Sequence, residues 1–131
     1  MKVLDTDTCI GVLRGRADVM ARRAQDPDEV VTTWVTAAEL FFGAARSQSP
    51  TANALVVERF LRTLRVLAPD LGSARIFGEL KATLHAQGQP IADADLFIGA
   101  ITLAQGATLV TGSRRHFDRL PGLVLEDWLR P

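Results

Sequence analysis

Short apolar runs rich in β-branched residues alternate with helix-period segments along this chain, and that alternation constrains the fold most. Val30 to Val35 (Val-Val-Thr-Thr-Trp-Val) is the clearest strand, entered through an Asp26-Pro27-Asp28 turn. Lys2 to Leu4 and Thr108 to Thr111 read as further strands, with Val66-Leu67 and Leu123 to Leu125 as short ones. Between them lie helical patterns. One starts at Asp7-Thr8 and carries Ile10, Leu13 and then Val19. A second follows Thr36 with Phe41, Phe42 and Ala45; after a break at Ser47 to Thr51, a third spans Ala52 to Leu64. Asp70 caps a fourth, bearing Ala74, Phe77, Leu80 and Leu84 and ended by Gly88; a fifth runs from Leu96 to Ala104, stopped by Gly106. Strands alternating with helices predict a single α/β domain over residues 1–131, a mostly parallel sheet flanked by helices. In such sheets the working edge lies outside the carboxyl ends of the strands.

Size and charge narrow the function classes. At 131 residues the chain has the length of one domain, and 47% hydrophobic content suffices for a core. Fifteen Lys plus Arg balance fifteen Asp plus Glu. That excludes holding nucleic acid by bulk positive charge, but not a nucleic-acid enzyme with an acidic site and a basic rim. One cysteine, Cys9, excludes an internal disulfide and a cysteine zinc site. No signal peptide is expected from the start Met-Lys-Val-Leu-Asp, and no apolar run approaches the ~20 residues of a membrane span. A reducing, cytoplasmic setting with no membrane is expected.

Polar residues just after the strands are the candidates for chemistry. Asp5 ends the first strand, Glu39 follows the Val30 to Val35 strand, Asp93 and Asp95 open the Leu96 helix, and Ser113 follows the Thr108 strand. Parallel strands would gather these at one edge. Packed carboxylates repel and their pKa values rise unless a positive charge joins them. A hard divalent ion such as Mg²⁺ or Mn²⁺ supplies that charge, takes oxygen ligands and suits phosphoryl chemistry. Simpler readings stand beside this one. Thr36-x-x-Glu39 matches a capping box, Asp93 a helix cap and Asp95 a first-turn acid favoured by the helix dipole. Capping is the preferred role for Asp93; for Asp95 the two readings are even. Ser113 is by default a loop residue. His85 and His116 match no metal spacing, and His116 beside Phe117 reads as a surface or packing residue. Arg114-Arg115 reads as a solvated pair able to touch a phosphate. Arg59, Arg62 and Arg65 read as a solvated face, and Phe41, Phe42, Phe60, Phe77 and Phe97 as core.

Taken together, four segments resemble one family. Val3-Leu4-Asp5-Thr6-Asp7 resembles the Leu-Leu-Asp-Thr-Asn start of PIN-domain proteins. Val35-Thr36-Ala37-Ala38-Glu39-Leu40-Phe41-Phe42-Gly43 resembles their second acidic segment, and Ala92-Asp93-Ala94-Asp95-Leu96-Phe97-Ile98-Gly99-Ala100 their third. Leu109 to Phe117, Leu120 to Leu123 and Asp127 to Leu129 resemble their C-terminal signature. In this order and spacing the four resemble VapC-like toxins of type II toxin–antitoxin pairs.

The resemblance implies a PIN-like, Rossmann-like sheet and a Mg²⁺-dependent endoribonuclease acting on structured RNA such as tRNA, with Mn²⁺ as an alternative ion. It implies an acidic site of Asp5, Glu39 and Asp95, with Asp5 and Asp95 as metal ligands and Asp93 ranked below them. It also implies a VapB-like antitoxin partner and a homodimer. Two positions depart from the pattern. Asp7 replaces the usual Asn, and Ser113 stands where a fourth acid or amide is usual, which makes a second tightly held metal less expected. Two other classes remain open, a DNA-acting or broad-specificity nuclease and a binding module with a decayed site.

Overall fold

The computed structural model describes residues 1–130. Five short strands form one all-parallel sheet in the order β3-β2-β1-β4-β5. The strands are β1 (Lys2–Leu4), β2 (Val30–Thr33), β3 (Arg65–Leu67), β4 (Thr108–Val110) and β5 (Val124–Glu126). Seven helices connect them: α1 (Thr6–Leu13), α2 (Ala17–Gln25), α3 (Trp34–Ala45), α4 (Pro50–Leu61), α5 (Leu71–Ala86), α6 (Asp93–Ala104) and the single turn α7 (Arg114–Phe117).

The strand order explains why both faces are covered. The chain leaves β1 toward β2 and β3, then crosses back over β1 to reach β4 and β5. Right-handed crossovers in opposite directions deliver their helices to opposite faces. Neighbouring residues of one strand therefore enter different cores. Val3, Val31 and Leu109 pack under α5 and α6 with Leu84, Leu96, Ile98 and Ile101. Leu4 and Val110 pack on the other face with Cys9, Val19, Leu40, Val57, Phe60 and Trp128. Strands buried on both faces read as continuous apolar runs, as these do.

Several boundaries differ from the sequence expectation, each for a local reason. The first helix is capped by Asp5, not Asp7-Thr8, and stops at Leu13. Gly15 then takes a positive φ of 69°, so the chain turns and Val19 falls in the separate helix α2. The second strand ends at Thr33, whose hydroxyl caps α3, so Trp34 and Val35 are helical. Helix α4 begins at Pro50, suited to a first helical turn, and ends at Leu61. Gly112 to Arg115 is not wholly loop, because α7 opens at Arg114. The last strand is shifted by one residue, to Val124–Glu126.

The predicted core is right for Phe60, Phe77 and Phe97, the last two stacked with ring centroids 3.9 Å apart. Phe41 and Phe42 are exposed, Phe42 at 65%. Arg65 lies in β3, paired with Glu29, and so is not on one face with Arg59 and Arg62. Gly99 marks a close approach, since a Cβ there would meet Leu120 Cδ1 at 2.4 Å. This lets α6 sit tightly against the segment after α7.

Candidate active site

The sheet order reverses at β1 and β4, and a crevice opens outside their carboxyl ends, where such folds place ligands. It is a cavity of about 180 Å³. Asp5, Asp7, Glu39 and Asp95 contribute carboxylates to its lining, Ser113 and His116 close one side, and Thr6 and Ile98 complete the wall. Three of the predicted acids, Asp5, Glu39 and Asp95, thus come together with Ser113. Asp93 does not join them. It is exposed on the first turn of α6 and paired with Lys81 at 3.0 Å, and the residue before α6 is Ala92, so Asp93 does not cap the helix either.

Each acid is held by a different element. Asp5 directly follows β1 and caps α1, with the Thr8 backbone N–H donating to its Oδ1 at 2.9 Å. It is 4% exposed. Burial pushes its carboxyl up to about 6, against partial relief from the Thr111 hydroxyl and the Thr8 N–H; nearby Asp7 adds to the rise. Glu39 lies one turn into α3. The Thr6 hydroxyl donates to its Oε1 at 2.7 Å and lies 3.2 Å from the Thr36 hydroxyl. Because Thr33 caps α3 by accepting from the Thr36 N–H, Glu39 is not part of a capping box. Asp95 is raised by burial and by Asp7, offset in part by His116, whose Nδ1 lies 3.1 Å from Asp95 Oδ2. The Ser113 hydroxyl donates to Asp7 Oδ2 at 3.2 Å.

Asp7, Thr6 and His116 were missed as site residues. Asp7 had a visible signal, since on the first turn of a helix capped by Asp5 it must stay near that residue. The pairing of His116 with Asp95 joins α7 to α6 and leaves no trace in local spacing.

Among the described residues, no Lys or Arg lies within ion-pair distance of Asp5, Asp7, Glu39 or Asp95. A buried carboxyl lifted by desolvation, with no Lys or Arg beside it and further carboxylates lining the same crevice, fits the oxygen donor set of a hard divalent ion. Among the same residues, no three Asp, Glu, His or Cys side chains converge closely enough to hold an ion by themselves. An ion in this crevice would be held by one or two of the carboxylates and completed by water and a substrate phosphate.

Comparison with known proteins identifies the family and the fold. The family model of the PIN domain matches residues 2–123. The chain is 33% identical over 127 residues, 96% of each chain, to the tRNA(fMet)-specific endonuclease VapC of Salmonella typhimurium. It superposes on a crystal structure of DNA-bound VapBC from Salmonella typhimurium with a TM-score of 0.91, at 33% identity and 97% coverage of both chains. A member of the VapBC family of toxin–antitoxin systems from Mycobacterium tuberculosis superposes with a TM-score of 0.70, at 28% identity, covering 96% of this chain and 95% of that one.

Proposed function

The chain belongs to the PIN-domain family, and from that premise we propose that it is a divalent-metal-dependent endoribonuclease, the toxin of a toxin–antitoxin pair. The observation that carries this reading is the crevice in which Asp5, Asp7, Glu39 and Asp95 gather without a Lys or Arg partner among the described residues. Asp5 and Asp95 are the proposed metal ligands and Glu39 the third acid of the site. Mg²⁺ is the proposed resident ion, with Mn²⁺ able to replace it. When bound, such an ion supplies charge neutralisation at the scissile phosphate and an acidified water.

The chain's own residues do the positioning. Capping α1 holds the Asp5 carboxylate at the end of β1, and the Thr6 hydroxyl orients Glu39 toward the same space. His116 restrains Asp95, and Ser113 restrains Asp7. Ser113 serves here as a hydrogen-bond donor to a carboxylate, where an acid would add to the repulsion. The proposed substrate is a structured RNA, tRNA among the candidates, supported by the naming of the relatives. The proposed setting is the cytoplasm, where such RNA is made and the free, buried Cys9 thiol stays reduced. No described helix is long and apolar enough to cross a membrane.

The antitoxin partner has a fitting surface. A groove of about 360 Å³ between α1, α3 and α4 is walled by Ile10, Leu13, Leu40, Val56 and Val57. Glu39 lines both this groove and the acidic crevice. A bound apolar segment can therefore carry an Arg or Lys from the groove to the acids, where shielded charge pairs reach coupling energies of about 1.5–7 kcal/mol. A homodimer is also proposed, supported by exposed Trp34, Val66 and Leu71, which lie outside the groove. The test is incubation of the purified chain with total RNA, with and without Mg²⁺, and mapping of new ends. Cleavage that survives chelation would refute the metal-dependent reading. Titration calorimetry of Asp5→Asn against the antitoxin tests the partner contact, and an unchanged affinity would remove the cationic plug.

A further inference from the structure

Beside the acidic crevice lies a basic one. Ser113 and His116 line both, and the second, of about 550 Å³, continues over Arg114, Arg115, Asp127 and Arg130. The chain as a whole is charge-balanced, so this local excess comes from placement. Arg130 is committed. Its Nη1 donates to Asp127 Oδ2 and to the Gly112 carbonyl, both at 2.9 Å, which also neutralises the one acid in the pocket wall. Arg114 and Arg115 are exposed and, among the described residues, have no carboxylate within ion-pair distance. Two uncommitted guanidiniums in a pocket that shares its Ser113 and His116 wall with the acidic crevice suit an anion continuous with whatever occupies that crevice. Planar forks of N–H donors match phosphate oxygens, and such bonds set the register of a nucleic-acid strand.

Resting on the ribonuclease reading above, we propose that the Arg114–Arg115 pocket is a backbone-phosphate subsite, which holds the phosphate next to the scissile one in a single-stranded stretch of RNA. Its role is to position the strand, so the loss of its arginines should weaken binding and leave the chemical step alone.

The test compares Arg114→Gln/Arg115→Gln with Arg59→Gln/Arg62→Gln, which removes equal charge from the exposed surface at the C-terminal end of α4. Fluorescence anisotropy of a short labelled single-stranded RNA, in chelator and over a salt series, reads binding; cleavage with Mg²⁺ reads KM and kcat. The first double variant should bind about tenfold more weakly, and its log–log salt slope should fall by about 0.7, because one phosphate fewer is neutralised. KM should rise by a similar factor, with kcat within about twofold and an unchanged melting temperature. An unchanged slope and KM, or an equal loss in the α4 variant, overturns the subsite. So does a loss confined to a DNA of the same sequence. Wild-type protein that cleaves RNA while the first variant keeps the wild-type KM refutes the subsite and leaves the ribonuclease standing. Wild-type protein that binds through these arginines yet cleaves nothing with any divalent ion does the reverse.

Discussion

Lys2 and Asp5 stand at opposite ends of the same short strand, and the acids around them are treated in opposite ways. Near Lys2, at the start of β1, every nearby acid has a cation. Its ammonium contacts Glu126 and lies 3.4 Å from Asp26, while Arg22 lies 3.1 Å from Glu126 and the Trp128 indole N–H donates to Glu126 at 2.7 Å. Burial pushes the Glu126 carboxyl up, but Lys2, Trp128 and Arg22 together hold it below the ordinary range. Lys2 is raised in turn by its bond to Glu126. At the other end of β1, Asp5 is buried among acids, and its carboxyl is raised instead. Electrostatics assembles the first cluster and strains the second. Acids kept together at a sheet's carboxyl edge, with no Lys or Arg partner among the described residues, are what the proposed divalent ion would relieve. Acids matched within the chain need no such relief.

The strongest way to break this contrast is to neutralise an acid at the strained end. Asp5→Asn or Asp95→Asn should lower RNA cleavage by at least ~10²-fold. The metal-free Asp5→Asn protein should be more stable, by roughly 1–3 kcal/mol, because Asn still caps α1 and no longer suffers the desolvation of a charge. Cleavage at the wild-type rate, or a lower melting temperature, would undo the assignment.

Glu39→Gln comes next. It keeps a side chain that can accept from Thr6 and removes the charge. Cleavage should fall roughly tenfold to hundredfold with little change in melting. Full activity in this variant would leave Glu39 a merely structural acceptor.

The matched end should show the opposite pattern. Glu126→Gln strands Arg22 and leaves Lys2 with Asp26 alone, and should destabilise the fold by about 1–3 kcal/mol in urea unfolding. Cleavage per folded molecule should stay unchanged. A loss of activity without a loss of stability would mean that the two clusters are not independent.

The smallest effect is a pH slope. Unfolded Asp5 loses its proton near the ordinary carboxylate value, about 4, and folded Asp5 only at about 6. Between these values the native state binds more protons, so this residue's contribution makes metal-free stability fall as pH rises across the window. The difference between wild type and Asp5→Asn in thermal melts should therefore widen from pH 4 to pH 6 and stay level above. A difference that is flat in pH would show that desolvation of Asp5 is not the source of its strain.

Much of the architecture was legible in the sequence because its signals are local. The buried β-branched run after Asp28 and the Asp70 cap are written in contiguous residues. The acids at strand ends followed from the same logic, as every β-strand of a parallel sheet delivers its next residue to the same edge. Boundaries failed where a neighbouring cap won. Thr33 took the role expected of Thr36, and Asp5 the role expected of Asp7 and Thr8. Phe41 and Phe42 failed for another reason, since helical periodicity reports an apolar stripe but not whether another element covers it.

The sequence by itself determined an α/β chain with parallel strands and acids after them, because alternating periodicity and residue type act over a few residues. Only the tertiary structure decided which polar groups meet. It placed Asp93 outside beside Lys81, and brought His116 to Asp95, Ser113 to Asp7 and Thr6 to Glu39. Those meetings depend on the reversal of strand order at β1 and β4, which sets distant segments side by side, and contacts of that range are fixed by packing on both faces of the sheet.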